Sequence, residues 1–284
     1  MPLLVVPTPV GNLEDMTLRG LRALREADVI ACEDTRRTLK LLNHFGVRKP
    51  LISCHRHNER ARIDDLMSRL ELGENVALVS DAGTPGISDP GVEVIRAAID
   101  RGLPVDVLPG PNALLPALLL SGLACGRFFF AGFIDGGDSE RREILAGLSK
   151  IPAALVFYVA PHGLPGQLDL FASALGDRDA ALAREISKVH QEVIRGTLGG
   201  IALMSREREI RGELVLVVAG SDDEGEDSPG EAETAKWLAL ARGMQELGIF
   251  DREIANMLSA SYGIPRNTIK TALLKFKTET GGSG

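Results

Sequence analysis

Three loops rich in Gly and Pro each follow a short β-rich run: Pro7 to Asn12 (PTPVGN), Ser80 to Gly91 (SDAGTPGISDPG) and Pro109 to Ala113 (PGPNA). Gly permits close backbone approach and positive φ, and Pro stiffens the chain. Three such bends at the carboxyl ends of strands in an open α/β sheet could line a preformed ligand cleft. The longest of them adds Asp81, Ser88 and Asp89 as polar groups. A G-x-G-x-x-G turn after the first strand and a G-x-x-x-x-G-K-[ST] loop are both missing, so the usual dinucleotide and triphosphate signatures lend no support.

A second constellation is basic. Arg36, Arg37, Lys40, Arg48, Lys49, Arg56, Arg60 and Arg62 fall within 27 residues that contain Glu59 as their only acid, with His44, His55 and His57 among them. On one face these side chains could neutralise several phosphates, the main source of nucleic-acid affinity; a solvated charged surface is the plainer alternative. The formal net charge of -7 does not oppose the first reading. Residues 221–233 (SDDEGEDSPGEAE) hold seven acids and no base, so the rest of the chain carries no net formal charge. The tail beyond them is +3.

The elements that must position these residues follow an α/β pattern. Short runs at Leu3 to Val6, VIAC, PLISC, VALVS and VDVL alternate with amphipathic stretches, among them Thr17 to Ala27 and Asn58 to Leu72. A second β-rich set comprises RFFFAGF, AALVFYV, AALAREI, the Val189 to Arg195 run and ELVLVVAG, with fewer helices between, which favours a mixed sheet. This predicts an α/β protein with an N-terminal domain over 1–120, a C-terminal domain over 121–220 and an acidic linker over 221–233. A helical tail over 234–280 follows, with helices at Ala232 to Leu247, Asp251 to Ser261 and Pro265 to Lys277. Asp251 as an N-cap and a turn at Gly263 give that tail helix-turn-helix spacing.

Composition bounds the rest. At 284 residues, 44% hydrophobic and 25% charged, the chain can bury a core in each of two domains. The longest aliphatic stretch, Ala113 to Leu120, is far short of a bilayer span, and the amino end lacks a secretory pattern, so the expected location is the cytoplasm. Cys32, Cys54 and Cys125 form no C-x-x-C pair, which predicts reduced thiols and no zinc site.

Several segments are more specific. PTPVGNLEDMT, ACEDTRRT, CHRHNE, LVSDAGTPGISDPG, LPGPNA, FFFAGF, FY followed by Pro161-His162, AREISK and RGELVLVV stand in this order. Over residues 3 to about 220 the chain resembles the bacterial small-subunit ribosomal RNA cytidine 2′-O-methyltransferases, the RNA-acting branch of the tetrapyrrole methylase superfamily. The resemblance implies a two-domain tetrapyrrole-methylase-like (class III methyltransferase) fold holding S-adenosyl-L-methionine between its lobes, 16S rRNA or the small ribosomal subunit as partner, and a homodimer, with no metal. It places the donor against Val10, Asp81, Gly83, Thr84, Pro85, Ile87, Asn112 and Ala113, with Tyr158, Ala183 and Leu214 from the second lobe. It also gives Arg36, Arg37, Arg56, Arg60 and Arg62 a role in guiding RNA. The chain departs from the pattern at Val159 and Gly163, where the family has an acid and an arginine.

Methyl transfer from a sulfonium to a hydroxyl is an in-line displacement that profits from positioning. A ribose hydroxyl is a poor nucleophile, so a proton acceptor at about 2.6 to 3.2 Å helps. Asp34, Glu59, Asp89 and Glu185 are the candidates; Asp34 beside Arg36 and Glu185 beside Arg184 read equally as ion pairs. Two other functions remain open at this level: methylation of a small tetrapyrrole-like molecule, and RNA binding without catalysis in ribosome assembly.

Overall fold

The computed structural model describes residues 2–221, 231–262, 264 and 266–280. Most of the acidic linker, residues 222–230, and the expected turn at Gly263 lie outside the described residues.

Five strands form the first sheet: β1 (Leu3–Val5), β2 (Val29–Cys32), β3 (Leu51–Ser53), β4 (Val76–Val79) and β5 (Val105–Val107). Their order is β3-β2-β4-β1-β5, and every pairing is parallel. The unbroken apolar runs VIAC and VALV occupy central positions with every residue buried, as a sheet covered on both faces requires. One covering layer is α3 (Glu59–Glu71) and α4 (Val92–Asp100), whose Leu66, Met67, Leu70, Val94 and Ala98 pack with Leu3, Val5 and Leu78. The other is α1 (Leu18–Glu26) and α2 (Thr35–His44), whose Leu24 and Leu42 pack with Val6, Ile30 and Val79. Thr17 caps α1, its side chain accepting from the Gly20 N–H.

The second sheet contains β6 (Phe128–Phe133), β7 (Ala154–Val159), β8 (Asp179–Arg184), β9 (Glu192–Thr197) and β10 (Leu214–Val218), in the order β6-β7-β10-β8-β9. β6 and β7 run parallel and the other neighbours antiparallel, so this sheet is mixed. Three helices separate its strands: α6 (Asp138–Leu148), α7 (Leu164–Leu175) and α8 (Leu198–Glu207). Four helices, α1 to α4, intervene between the strands of the first sheet, so the second is the less interrupted of the two, as its sequence indicates; Pro165 suits the first turn of α7. α5 (Leu114–Ser121) follows β5 in sequence but buries Ala117 and Leu118 with Val156, Val215 and Val217 of the second sheet.

Both sheets lie in one compact unit, residues 1–149 and 153–219. A second unit comprises 150–152 and the described residues from 220 onward. Its helices α9 (Glu231–Glu246), α10 (Asp251–Tyr262) and α11 (Arg266–Thr280) enclose Trp237, Ala241, Ile254, Leu258, Ile269 and Leu273. No helix among the described residues is long and apolar enough to cross a membrane. Among them no group of three or more His, Cys, Asp or Glu is placed to hold a metal.

Candidate functional site

The three Gly/Pro loops leave β1, β4 and β5 at their carboxyl ends, and hydrogen bonds lock them to one another. Thr8 and Gly83 exchange both backbone hydrogen bonds at 2.8 Å, joining the first loop to the second. The Thr8 hydroxyl also donates to the Ser80 carbonyl (3.1 Å), and the Thr84 hydroxyl donates to the Pro111 carbonyl (3.1 Å), joining the second loop to the third. Gly83 sits at φ 79°, and a Cβ there would lie 3.5 Å from Val10 and 3.9 Å from Asn112, so all three loops meet at this residue. Asn112 accepts from the Leu115 N–H (2.9 Å), fixing the start of α5.

Opposite them stand the end of β7 and the start of β10. Between the two sides is a cleft of about 370 Å³. Val10, Gly83, Thr84, Ile87, Asn112 and Ala113 line it from the first sheet, and Phe133, Tyr158, Leu214 and Val215 from the second. Close contact holds the sides together: a Cβ on Gly11 would fall 2.7 Å from the Ile186 carbonyl oxygen and 2.4 Å from Lys188 Cγ. Ser187 Oγ also donates to Asp15 Oδ2.

Asp89 is the one carboxylate of the four proton-acceptor candidates that lines this cleft. Burial raises its pKa to about 6, aided by the nearby charges of Glu33 and Asp81 and opposed by Arg56 and by a hydrogen bond from Ser80. Ser88 beside it holds a left-handed φ of 64°, a strained conformation for a residue with a side chain. Burial pushes the Tyr158 hydroxyl up to about 12, so it stays protonated and can donate. Its ring packs on Phe130 and Phe133, with centroids 5.1 and 5.5 Å away.

The other three acids lie outside the cleft lining, and each has structural partners. Glu59 is buried, and its Oε1 accepts from the N–H groups of Gly91 (3.0 Å), Glu93 (3.0 Å) and Val94 (3.2 Å), capping α4. Asp34 caps α2 through the Arg36 N–H and forms a two-point ion pair with the Arg36 side chain, which holds its carboxyl well below the usual range. Glu185 accepts from the Glu213 N–H (2.9 Å) and pairs with Lys188 (3.0 Å), which lowers its pKa and ties the end of β8 to the start of β10. A carboxylate already serving two or three donors is committed to the fold, a fact of tertiary contact that spacing does not carry.

Three expected donor contacts also stand apart from the lining. Asp81 lies in a smaller neighbouring cavity, where it accepts from the Asp34 N–H (3.0 Å) and pairs with Arg37 (3.2 Å). Pro85 is buried, and Ala183 is buried opposite Val215 in the sheet. Ser88, Phe133, Pro161, Ile186, Gly212 and Glu213 line the cleft without having been singled out as donor contacts. The segments FFFAGF and RGELVLVV carried the only signal for Phe133, Gly212 and Glu213.

The basic residues stand at the same sheet edge, at the starts of α2 and α3. Arg36, Arg37, Arg56, Arg60 and Arg62 are all exposed. Arg60 reaches Glu93 at 3.4 Å, whereas Arg56 and Arg62 have no carboxylate within ion-pair distance among the described residues. Val159 and Gly163, the two departures from the family pattern, both line a second cavity of about 510 Å³ that adjoins the cleft. Val159 is buried, and Gly163 stands at the start of α7 at φ 67°.

The cleft suits an adenosyl sulfonium compound. Its walls are mainly aliphatic, fitting a flat purine and a methylene chain, and one buried-side carboxylate, Asp89, complements a cation.

Residues 2–202 match the model of the tetrapyrrole (corrin/porphyrin) methylases. The chain is 38% identical over 278 residues to ribosomal RNA small subunit methyltransferase I of Synechocystis sp., covering 98% of this chain and 99% of that one. It is 45% identical over 225 residues to the protein of that name from Bacillus subtilis, covering 79% and 77%. Among solved structures, diphthine synthase superposes with a TM-score of 0.59 at 17% identity, covering 78% of this chain and 90% of that one. Uroporphyrin-III C-methyltransferase from Thermus thermophilus, complexed with S-adenyl homocysteine, superposes at 0.55 and 20% identity, covering 77% and 97%. These two likenesses establish the fold. With the matched family model and relatives aligned along nearly the whole length, the chain belongs to the tetrapyrrole methylase family, within its ribosomal RNA small subunit methyltransferase I branch.

Proposed function

We propose that this chain transfers a methyl group from S-adenosyl-L-methionine to the ribose 2′-oxygen of a cytidine in 16S ribosomal RNA. The observation that carries the reading is a cleft lined by a partly desolvated carboxylate, Asp89, beside a sheet edge bearing exposed arginines. The relatives' shared name supports the RNA substrate.

When bound, the donor supplies an electrophilic sulfonium methyl. The backbone of Gly83, with Val10, Thr84, Asn112 and Ala113 around it, holds it in place. Asp89 accepts the proton of the attacking hydroxyl as the new O–C bond forms and the S–C bond breaks. Tyr158 remains protonated and available as a donor at the cleft wall. Arg56 and Arg62, which make no ion pair among the described residues, steer the phosphate backbone toward the opening, with Arg36, Arg37 and Arg60 beside them. The acceptor nucleotide is presented unpaired, because the cleft cannot admit a duplex. The protein works in the cytoplasm as a homodimer, in keeping with its family membership; light scattering of the purified chain tests the dimer.

The deciding experiment incubates the protein with labelled donor and, in parallel, small ribosomal subunits or a precorrin-like acceptor. Nuclease digestion and mass spectrometry then locate the label. Label on a cytidine ribose is expected. Label on a base, or on the small acceptor alone, overturns the reading.

A further inference from the structure

The second cavity is the feature that the donor site does not absorb. At about 510 Å³ it has room for a nucleoside. It shares Phe133, Tyr158, Val159 and Ala160 with the donor cleft, so a molecule seated in it would lie next to the reacting centre. Gln167 fixes the shared wall: its side-chain amide donates to the carbonyls of Ala160 (3.0 Å) and His162 (2.7 Å), holding the β7–α7 loop.

Its polar lining is incomplete as it stands. Arg141, on α6, lines the cavity and has a buried Nε with no hydrogen-bond partner. No carboxylate lies within ion-pair distance of its guanidinium among the described residues, although Asp135 and Asp138 line the same cavity. The Nε itself is closed to solvent, so a molecule in the cavity meets the remaining N–H groups of the guanidinium, which no carboxylate among the described residues neutralises. A phosphate would satisfy Arg141 but would face two carboxylates. A neutral nucleobase with acceptors on one side and an amine on the other meets both kinds of group. Cytosine presents that edge, carbonyl and ring-nitrogen acceptors beside an exocyclic amine, and carboxylates accept from that amine in base recognition. Phe133 is 50% exposed at the junction of the two cavities and offers a face for stacking.

We propose that this cavity is the acceptor-base subsite: Arg141 donates to the carbonyl and ring nitrogen of a flipped-out cytosine while Asp135 and Asp138 accept from its amine. The proposal rests on the reading that the first cleft holds the methyl donor. It assigns selection between cytidine and uridine to α6 and the loop before it, away from the donor contacts.

The test uses the full chain with small ribosomal subunits. One set is unaltered, and one is reconstituted with uridine at the position where the label is found. Arg141→Met, and Asp135→Asn combined with Asp138→Asn, are each compared with the unaltered chain for kcat/KM and, by calorimetry, for S-adenosylhomocysteine affinity. Each variant is expected to lose about tenfold or more in kcat/KM on the cytidine substrate. Donor-product affinity is expected to be unchanged, and the preference for cytidine over uridine to fall toward one. Unchanged kcat/KM and unchanged preference in both variants overturn the subsite. Should Arg141→Met fail to fold, the two exposed carboxylates decide alone. Failure of the unaltered chain to methylate either subunit overturns the donor reading and this proposal together, whereas activity with indifferent variants overturns only the subsite.

Discussion

Thr8 and Gly83 exchange two backbone hydrogen bonds of 2.8 Å across 75 residues of sequence, a single antiparallel bridge outside both sheets. This bridge turns separate loop signals into a rigid rim. Gly83 can hold its φ of 79° at little cost, and with no side chain it leaves the space between Val10 and Asn112 open to a ligand.

Gly83→Val should therefore abolish donor binding. A β-branched residue at positive φ costs about 1 to 3 kcal/mol of strain, and its side chain would occupy the meeting point of the three loops. Calorimetry with S-adenosylhomocysteine should show at least a hundredfold loss while circular dichroism stays native. Equal affinity in the variant would move the donor away from this loop.

The raised pKa of Asp89 makes two linked statements about pH. As the base, it must be ionised, so kcat/KM should rise with pH through about 6 and then level off. Asp89→Asn should remove that limb and lower kcat by about 10² to 10⁴. For stability the sign is opposite: the folded state keeps a proton that the unfolded chain releases near pH 4, so stability falls as pH rises from about 4 to about 6. Thermal melts should show Asp89→Asn more stable than the unaltered chain above pH 6, with the difference vanishing near pH 4.

Glu59 should behave as a cap. Glu59→Ala leaves the N–H groups of Gly91, Glu93 and Val94 without their acceptor, and denaturant unfolding should show a loss of about 2 to 4 kcal/mol. Glu59→Gln keeps an acceptor oxygen and should retain most of the activity. A folded Glu59→Gln chain without activity would give this residue a chemical part.

Arg56 and Arg62, exposed and without an ion-paired carboxylate among the described residues, should act on RNA through charge alone. Arg56→Ala with Arg62→Ala should weaken RNA binding most at low salt and reduce the slope of log K against log salt by roughly one to two. Donor affinity should not change. An unaltered slope would place the phosphate backbone elsewhere.

Much of the fold was legible because its signals are local. The apolar runs VIAC and VALV are central strands since only a sheet covered on both faces buries every successive residue. Thr17 marks the start of α1 through its own side chain. Signals weakened where local preference and tertiary packing diverge. The Val189 to Arg195 run becomes β9 at Glu192–Thr197, because its register is set by pairing with β8.

The site divides in the same way. Residue types and order along the chain were enough to pick out the three loops, the arginine-rich edge and a short set of acids, because Gly, Pro and charge act where they stand. Which acid faces the donor cleft was decided only by folding. Glu59, Asp34 and Glu185 are drawn into backbone and ion-pair contacts made by neighbours 2 to 35 positions away, while Asp89 faces the cleft and is partly desolvated. Chemical availability is a property of what surrounds a group, and those surroundings come together only when both sheets and their connecting loops are packed.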